Sequence, residues 1–392
     1  MVFAIPTLQP NDVAVLGLIQ SLRQFMASSV SANRTRWTDM LRRTTLARSV
    51  RASNSIEGYD ASLADTAAII DDDAPGSIAA ETVAALTGYR NAMTYIVSLA
   101  ADPHTVIDES LIRSLHFMMI SYDMSKLPGR WRTGPVYVTR EEDNEQVYEA
   151  PDAIIVPDLV GELVAQINSA DGVDPIVMGA MAHLNLTMIH PFKDGNGRMS
   201  RALQTLVMAR NGIVAPEFSS IEEWLGANTE AYYAKLAEVG QGRWNPTNDA
   251  LPWVRFCMIG YYQQLDRLIQ RNVAAGGVWM DVEALRRELR LPDRVDSALV
   301  DAAFAFRVRA HRYREAEELS EAAASRDLRR LCELGLLVPH GEKRRRFYTA
   351  GERLIEIRQK HRTRGVAKDP YEIVRSESYK AALGSARDQH RD

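Results

Sequence analysis

Apolar residues recur at helical spacing along almost the whole chain, with polar residues between them. In three clear stretches the apolar positions are three or four residues apart, as on one face of an amphipathic helix. These positions are Val15, Leu18, Ile19, Leu22 and Phe25; Val83, Leu86, Tyr89, Ala92 and Met93; and Ile112, Leu115, Met118 and Met119. The pattern predicts a mainly α-helical protein.

One short segment departs from this pattern and favours a β-strand. Residues 134–139 contain the β-forming side chains Val136, Tyr137 and Val138. A Pro-Gly pair precedes the segment and a charged turn at residues 140–145 follows it, which is typical of a strand bounded by turns. We therefore expect a β-hairpin inserted into a helical body.

Stretches rich in Gly, Pro, Asn and Asp divide the chain. Residues 71–76 are acidic and end in Pro-Gly, a helix is expected to stop at Asn211-Gly212, and residues 240–248 favour a loop. Gly276-Gly277 is the best candidate boundary before a separate C-terminal module. The predicted units are an N-terminal helical region at 1–75, a core with following helices at 76–275, a C-terminal module at 276–350, and a helix with a frayed tail at 351–392.

The composition, 46% apolar and 25% charged, is ordinary for a globular protein. The two cysteines, Cys257 and Cys332, lie in separate apolar stretches, which excludes a disulfide framework and a Cys-rich zinc site. This favours a reducing compartment. The N-terminus lacks the basic and apolar regions of a signal peptide, and no window approaches the ~18 to 20 apolar residues of a membrane span. We expect a cytoplasmic protein with no membrane partner.

Charge is distributed unevenly. Residues 271–392 carry 26 Lys and Arg against 20 Asp and Glu, and residues 1–270 carry 21 against 31, so the two parts have net charges of +6 and −10. A basic C-terminal module is compatible with an acidic partner such as nucleic acid. The alternative is a merely solvated basic surface.

Residues 190–201 read HPFKDGNGRMSR and combine several groups that a nucleoside triphosphate needs. His190 titrates near neutrality and is a candidate general base for an attacking hydroxyl. Asp194 offers a hard carboxylate oxygen that could hold Mg²⁺ against phosphates. Taken singly, a histidine that ends a helix before a proline is more often structural.

The second half of this stretch predicts a phosphate cradle. Gly195 and Gly197 flank Asn196 in a short turn that leads into an apolar helix, so backbone N–H groups and the helix dipole can face an anion. Arg198 and Arg201 are three residues apart and share one helix face, where both guanidinium groups could contact phosphate oxygens. Gly-Asn-Gly alone is commonly just a turn, but the combination is too specific to be accidental.

These twelve residues resemble the signature of the Fic family, H-P-F-x-[D/E]-G-N-G-R-x-x-R, at every fixed position. The resemblance extends to residues 179–189 before the motif, to residues 129–138, which resemble the family's hairpin "flap", and to 148–151 at its end. It is close over about residues 80–215. It implies a Fic-type helical bundle with an inserted β-hairpin flap.

The resemblance implies transfer of AMP from ATP to a Tyr, Ser or Thr hydroxyl of a protein. His190 would take the hydroxyl proton, Asp194 would hold Mg²⁺, and Arg198 and Arg201 would neutralise the leaving pyrophosphate. The amides of Gly195 and Gly197 would cradle the phosphates, Asn196 would orient them, and Phe192 would anchor the loop. Some relatives transfer other phosphate-containing groups, which is an alternative. The target protein stays open, self-modification and a homodimer being possible.

Residues 53–58 fit the family's inhibitory pattern [S/T]-x-x-x-E-[G/N] through Ser53, Glu57 and Gly58. Ser53 and Glu57 are four residues apart and share a helix face. The resemblance implies an N-terminal inhibitory helix whose Glu57 pairs with Arg201, in the place that the ATP γ-phosphate needs. The alternative is an ordinary helix end with Gly58 as its cap. In some relatives the same glutamate supports removal of AMP.

The flap has two interpretations. In the family this hairpin pairs with an extended segment of the target, so Val136, Tyr137 and Val138 are expected to dock the target by strand addition. Otherwise the hairpin is simply a cover. We favour docking, because an edge strand with free backbone groups binds other chains unless it is used or masked.

The C-terminal module resembles a winged helix-turn-helix. A helix at 322–334 carries Arg326, Arg329 and Arg330 on its polar side, and a basic segment at 343–346 would be the wing. DNA contact would use these arginines. This supports a second hypothesis, a DNA-binding regulator whose core senses a nucleotide or modifies itself. The alternative is a packing or protein-docking module, because several glutamates precede the helix.

Overall fold

The structure, a computed structural model, describes residues 1–32, 36–73, 75–76, 78–102, 104–139, 146–169, 172–210, 216–342, 346–362, 365 and 367–376. Four sequence predictions lie outside these residues: the charged turn at 140–145, the helix stop at Asn211-Gly212, wing residues 343–345, and the frayed tail after residue 376. Helices dominate the described part, which confirms the predicted fold class. None of the described helices is long and apolar enough to cross a membrane.

The first half of the chain forms five helices before the hairpin. They are α1 (Pro10–Ala32), α2 (Arg36–Ser55), α3 (Leu63–Ile70), α4 (Ala80–Ala100) and α5 (Glu109–Ile120). Asp108 caps α5 by accepting the Leu111 N–H at 2.7 Å, which satisfies one of the free N–H groups of the first turn. The apolar stripe predicted for α5 is buried, as Ile112, Leu115 and Met119 show.

The predicted hairpin is present as two short antiparallel strands, β1 (Tyr137–Thr139) and β2 (Gln146–Glu149). Tyr137 lies opposite Glu149 and Val138 opposite Tyr148. The second strand is also hydrogen-bonded to the loop after residue 240. The Glu149 N–H donates to the Gly242 carbonyl, and the Glu149 carbonyl accepts from the Trp244 N–H. This attachment fixes the hairpin to the helical body through β2.

The centre of the molecule is a pair of packed helices, with a third beside them: α6 (Val156–Ser169), α7 (Pro175–Ile189) and α8 (Asn196–Ala209). Helix α7 is buried on all sides, since thirteen of its residues are shielded from solvent. Such a helix is enclosed by other elements, which explains why its sequence shows no amphipathic stripe. The loop between α7 and α8 holds residues 190–195, so a rigid core supports both ends of the motif.

The predicted boundary at Gly276-Gly277 falls within a continuous helix. After α9 (Glu222–Ala227) and α10 (Thr229–Gly240), one helix, α11 (Leu251–Glu288), runs through both glycines. A side chain at Gly277 would collide with the His361 ring, so this glycine permits close packing against the later chain. The division into four units stays a prediction.

The C-terminal part contains three helices, a hairpin and two further helices. They are α12 (Asp296–Ala303), α13 (Ala310–Ala316), α14 (Glu321–Glu333), β3 (Leu337–His340), β4 (Phe347–Ala350), α15 (Glu352–Lys360) and α16 (Pro370–Arg375). The predicted single helix after residue 351 is therefore two short helices, and α16 returns to α1, where Tyr371 Oη donates to Asp12 at 2.8 Å. The core of this part includes Met40 and Ala47 of α2. Helix α2 thus packs against both halves of the chain.

Candidate active site

The loop after α7 is built on two residues in the left-handed backbone region. His190 ends α7 with φ 51°, and Gly195 precedes α8 with φ 77°. A side chain at Gly195 would come within 2.7 Å of Ile120 Cδ1, so both the backbone angle and the space require glycine. The two turns bring residues 190–195 back onto the N-terminus of α8.

Asn196 closes the loop through its side chain, and its predicted role in orienting phosphates stays a prediction. Its Oδ1 accepts the Phe192 N–H at 2.9 Å and its Nδ2 donates to the Phe192 carbonyl at 3.0 Å. The side chain is 2% exposed and both of its polar ends are used within the loop. Asn196 therefore holds the loop's shape, while its backbone belongs to the N-terminal turn of α8.

Phe192 anchors the loop, and sequence analysis missed its partner. The Phe192 ring is buried and stacks on the His116 ring, with centroids 3.6 Å apart. His116 Nδ1 accepts the Gly129 N–H at 2.9 Å, so Nε2 carries the proton that is donated to the Asp194 carbonyl at 2.8 Å. Burial lowers the pKa of His116 to about 4, which keeps the ring neutral. The available signal was a lone histidine within the apolar face of α5.

His190 has the protonation pattern of a base. Its Nδ1 lies 3.3 Å from the Thr187 carbonyl, which can only accept, so the proton is assigned to Nδ1 and Nε2 keeps its lone pair. Burial lowers the pKa of His190 to about 4. The imidazole is therefore neutral at pH 7, the form that can take a proton.

Asp194 lies beside a lysine that sequence analysis did not identify. Its Oδ1 accepts the Gly195 N–H at 2.6 Å and its Oδ2 is 2.8 Å from Lys126 Nζ. Burial raises the pKa of Asp194, but the hydrogen bond from Lys126 and the charge of Arg198 outweigh burial and leave the pKa below its ordinary value. The carboxylate is therefore ionised and presents hard oxygen ligands.

The donor set fits Mg²⁺ only together with phosphate. Among the described residues no group of three His, Cys, Asp or Glu side chains could hold a metal ion. Mg²⁺ is commonly bound by one or two carboxylates plus substrate phosphates and water, and Asp194 can supply one such carboxylate. Asp194 could therefore be one ligand of a metal that is also bound to a nucleotide.

Arg201 is paired with the predicted inhibitory segment. Its Nη2 donates to Glu57 Oε1 at 2.6 Å and to the Ser53 carbonyl at 3.0 Å, and its Nε donates to Ser53 Oγ at 2.8 Å. Burial lowers the pKa of Arg201, but the charge and hydrogen bond of Glu57, together with Tyr232 and Tyr89, outweigh burial and raise the pKa above its ordinary value. Gly58 follows with φ 81° and ends the turn after α2.

Two guanidinium groups keep unused donors in this site. Arg198 is 1% exposed, its Nη1 is 3.5 Å from Tyr122 Oη, and its Cζ lies 5.2 Å from the centre of the Tyr59 ring. Arg198 Nε and Arg201 Nη1 are buried and have no hydrogen-bond partner within the described chain. Buried donors without partners cost free energy, which an anion such as phosphate would relieve. A side chain at Gly197 would collide with Glu57, so this glycine leaves room beside the pair.

A buried arginine, which sequence analysis also missed, joins the flap to the motif. Arg132 is 5% exposed. Its side chain donates to the His190 carbonyl through Nε and to the Gly134 carbonyl through Nη1, both at 2.8 Å. Its backbone N–H donates to the Pro191 carbonyl at 2.9 Å. Its Nη2 donates to the Pro151 carbonyl. One side chain thus holds both ends of the hairpin and the end of α7.

The three predicted docking residues face different ways. Val136 and Val138 are partly buried against the core, whereas Tyr137 is 48% exposed. Within the described residues β1 pairs with β2 on one side only. The structure therefore leaves one edge of β1 available, with the Tyr137 side chain pointing outward.

The comparisons with known proteins agree with this geometry. The family model described as Fic/DOC family matches residues 106–208. The chain is 29% identical to "Protein adenylyltransferase fic-1" of Caenorhabditis elegans, over 66% of this chain and 49% of that protein. It is 27% identical to "Protein adenylyltransferase Fic" of Nematostella vectensis, over 52% of this chain and 44% of that protein. The chain thus spans about half the length of these relatives or less.

Solved structures share the fold over a larger part of the chain. A Fic family protein from Desulfovibrio desulfuricans has a TM-score of 0.59 and 22% identity, covering 89% of this chain and 98% of that one. A Fic domain containing signaling protein from Bacteroides thetaiotaomicron has a TM-score of 0.53 and 22% identity, covering 67% and 96%. Residues 106–208 therefore match the Fic/DOC family model, and these proteins share the helical fold around them.

Proposed function

We propose that this protein is an adenylyltransferase that moves AMP from ATP to a hydroxyl side chain of a protein target. The observation that carries the proposal is the 190–201 loop, in which a neutral His190, an ionised Asp194 and two arginines with unused buried donors meet. Relatives called protein adenylyltransferases match more than half of the chain, which supports the same activity.

The chemistry follows from the charges in the site. His190 Nε2 takes the proton of a Tyr, Ser or Thr hydroxyl, the hydroxyl oxygen bonds to the α-phosphorus, and the bond to pyrophosphate breaks. Arg198 and Arg201 stabilise the negative charge of the leaving group, since phosphoryl-type transfer depends mainly on positioning and charge neutralisation. Mg²⁺ held by Asp194 and the phosphates would add positive charge against the phosphate oxygens. The product is an AMP ester of the target hydroxyl.

We further propose that Glu57 keeps this activity low. Its carboxylate occupies Arg201 Nη2, a donor that the outermost phosphate of ATP would use. A guanidinium fork cannot serve the carboxylate and the phosphate with the same N–H, so ATP would bind without its normal alignment. Ser53 Oγ accepts from Arg201 Nε and the Ser53 carbonyl accepts from Nη2, which holds the guanidinium beside Glu57.

The flap would register the target hydroxyl over His190. The available edge of β1 supports strand addition by an extended target segment, and Arg132 links the flap backbone to His190. Tyr137 faces outward and would contact the target side chains. The proposed targets are another protein and this chain itself. The proposal includes a cytoplasmic location and a homodimer, which are expected from the sequence.

The test uses ATP labelled at the α-phosphate, with Mg²⁺, the purified chain and a lysate as the source of targets. Wild type, Glu57→Gly and Glu57→Gly/His190→Ala are compared, and the mass of the modified protein is measured. Label that is weak in wild type, strong in the single variant and absent from the double supports the proposal. No label in any of the three, with ATP binding demonstrated, contradicts it.

A second candidate function is DNA binding through the proposed winged helix. Arg326, Arg329 and Arg330 are exposed on α14, which supports contact with a phosphate backbone. Arg330 is also 3.5 Å from Glu333, so part of this charge is already compensated. Salt-dependent, sequence-selective DNA binding that is lost in Arg326→Gln/Arg329→Gln and unaffected by His190→Ala would support it. Binding that survives the double substitution would contradict it.

A further inference from the structure

The carboxylate that would hold the metal ion is occupied on both oxygens. Asp194 Oδ1 accepts the Gly195 N–H at 2.6 Å, and Oδ2 forms an ion pair with Lys126 Nζ at 2.8 Å. A Mg²⁺ ion needs a ligand oxygen at about 2.0 to 2.1 Å, so a metal on Oδ2 would lie close to the ammonium held by the same oxygen, and the two positive charges would repel each other. The lysine and the metal therefore compete for Oδ2.

Several contacts hold the Lys126 side chain in place, unlike a lysine that is freely exposed to solvent. Its side chain is 21% exposed and extends from a short 3₁₀ turn, Met124–Lys126, which ends at a left-handed Leu127. Nζ also donates to Tyr59 Oη at 3.3 Å and lies 5.6 Å from the centre of the Tyr122 ring. A carboxylate, a hydroxyl and an aromatic face together form a binding site for one cation.

We propose that Lys126 is the resident counter-ion of Asp194 and raises the metal concentration that the site needs to bind a metal–nucleotide complex. The inference rests on the proposed function, since it concerns the metal that accompanies ATP. Without a nucleotide the lysine neutralises the ionised carboxylate. When the metal takes Oδ2, the ammonium keeps Tyr59 and Tyr122 as neighbours.

The chain offers a matched control in Lys193. This lysine belongs to the same loop, one residue before Asp194, but its Nζ donates to the Ser125 carbonyl at 3.0 Å. Lys193→Met removes a positive charge from the same region while both partners of Asp194, Gly195 and Lys126, are kept. Lys126→Met and Lys126→Gln both remove the competing charge, and Lys126→Arg keeps it.

The experiment measures binding of α,β-methylene ATP, which cannot transfer AMP, by calorimetry at stepped MgCl₂ concentrations on the full chain. We expect Lys126→Met and Lys126→Gln to lower the Mg²⁺ midpoint, the concentration at which analogue binding reaches half of its maximal affinity, by about fivefold. This factor corresponds to the free energy of one partly exposed ion pair. Lys126→Arg and Lys193→Met should keep the wild-type midpoint. The nucleotide's own affinity for Mg²⁺ is common to all variants and cancels in the comparison.

Three outcomes would overturn the inference. Equal or higher Mg²⁺ midpoints in both neutral variants would show that the lysine does not compete with the metal. Weaker binding in these variants at saturating Mg²⁺ would make Lys126 a phosphate ligand instead. If no protein, wild type included, binds the analogue at saturating Mg²⁺, the nucleotide site itself is wrong and the proposed function fails together with the inference.

Discussion

Glu57 Oε1 lies 2.6 Å from Arg201 Nη2, which joins the turn after α2 to a helix 144 residues later in the chain. The arginine side chain is 1% exposed and the glutamate side chain 22%, so solvent screens the pair only from the Glu57 side. Ser53 supplies two further acceptors to the same guanidinium. Arg201 therefore stays partly satisfied when Glu57 is removed, which makes variants of Glu57 usable.

The first prediction concerns relief of this contact. Glu57→Gly should raise AMP transfer by about tenfold or more, because a guanidinium aimed at transferring phosphates is worth several orders of magnitude in phosphoryl transfer. The measurement is the initial rate of label incorporation from ATP labelled at the α-phosphate. Glu57→Gln, which keeps an acceptor oxygen but loses the charge, should give an intermediate rate.

Asp60→Gly is the matched control for this prediction. Asp60 is exposed and lies three residues after Glu57, so the substitution adds the same backbone freedom and removes one carboxylate near the same turn. Its rate should equal that of wild type. A similar increase in both glycine variants would mean that loosening the turn, and not freeing Arg201, activates the protein.

The second prediction is the pH profile of His190. Because burial lowers its pKa to about 4, the imidazole is still neutral at pH 6, whereas at an ordinary pKa of 6.5 only about a quarter would be. In Glu57→Gly, kcat/KM for ATP should therefore lose little between pH 7 and pH 6 on account of this group. Initial rates with circular dichroism at each pH test this, and an acidic limb centred near pH 6.5 in a folded protein would contradict it.

The third prediction follows from the hydrogen bonds by which Asn196 closes the loop. Asn196→Ala should cost about 1 to 3 kcal/mol in the free energy of unfolding, because the Phe192 N–H and carbonyl lose their buried partners. Urea unfolding measures the cost, and calorimetry with α,β-methylene ATP should show weaker binding. Asn196→Asp, which can still accept from Phe192, should lie between Ala and wild type. An unchanged stability in Asn196→Ala would refute the loop-closing role.

Much of this arrangement follows from the sequence because it is local. The spacing of apolar positions predicts the helices, and the order of residues 190–201 predicts a loop that ends at a helix N-terminus. The strand residues 136–138 predict the hairpin for the same reason, since β-formers between turns determine short-range structure.

The partners contributed by distant elements could not be predicted in this way. His116, Lys126 and Arg132 reach the loop only because α5 and the chain after it pack beside α8, and periodicity identifies a buried face without naming what covers it. Gly277 shows the same limit: a glycine for close packing and a glycine for a flexible boundary look alike in a sequence.

The fourth prediction concerns stability in acid. Burial lowers the pKa of His116 to about 4 and that of His183 to about 3, so below pH 6.5 the unfolded chain takes up protons that the folded chain does not. Each group should then reduce the free energy of unfolding by about 1.4 kcal/mol per pH unit as the pH falls from 6.5 toward 4. Glu222 acts in the opposite direction between pH 7 and 4.5, because burial raises its pKa to about 7.

Urea unfolding at pH 7, 6 and 5 measures this slope. A glutamine at position 116 can still accept from Gly129 and donate to Asp194, but it does not titrate. In His116→Gln the free energy of unfolding should therefore change less steeply with pH, by about the 1.4 kcal/mol per pH unit that one proton contributes. His104→Gln, the same substitution at an exposed histidine, is the control for the change of side chain itself. Equal slopes in His116→Gln and wild type would argue against a neutral buried His116.

The last prediction separates the positioning of the target from the binding of ATP. Arg132 donates to backbone carbonyls at His190, Gly134 and Pro151, and none of its contacts is a side chain of the motif. In Arg132→Met the apolar stem is kept while these carbonyls lose their donor, at a cost of about 3 kcal/mol in the free energy of unfolding. On a Glu57→Gly background, kcat for a protein target should fall about tenfold, because a small misplacement of a reacting group is costly. The affinity for α,β-methylene ATP should be nearly unchanged.

Arg130→Met is the control. Arg130 is an exposed arginine two residues earlier, and its substitution should change neither kcat nor the affinity for the nucleotide analogue. If Arg132→Met weakens the nucleotide analogue as much as it slows transfer, Arg132 supports the whole site and does not specifically position the flap and His190.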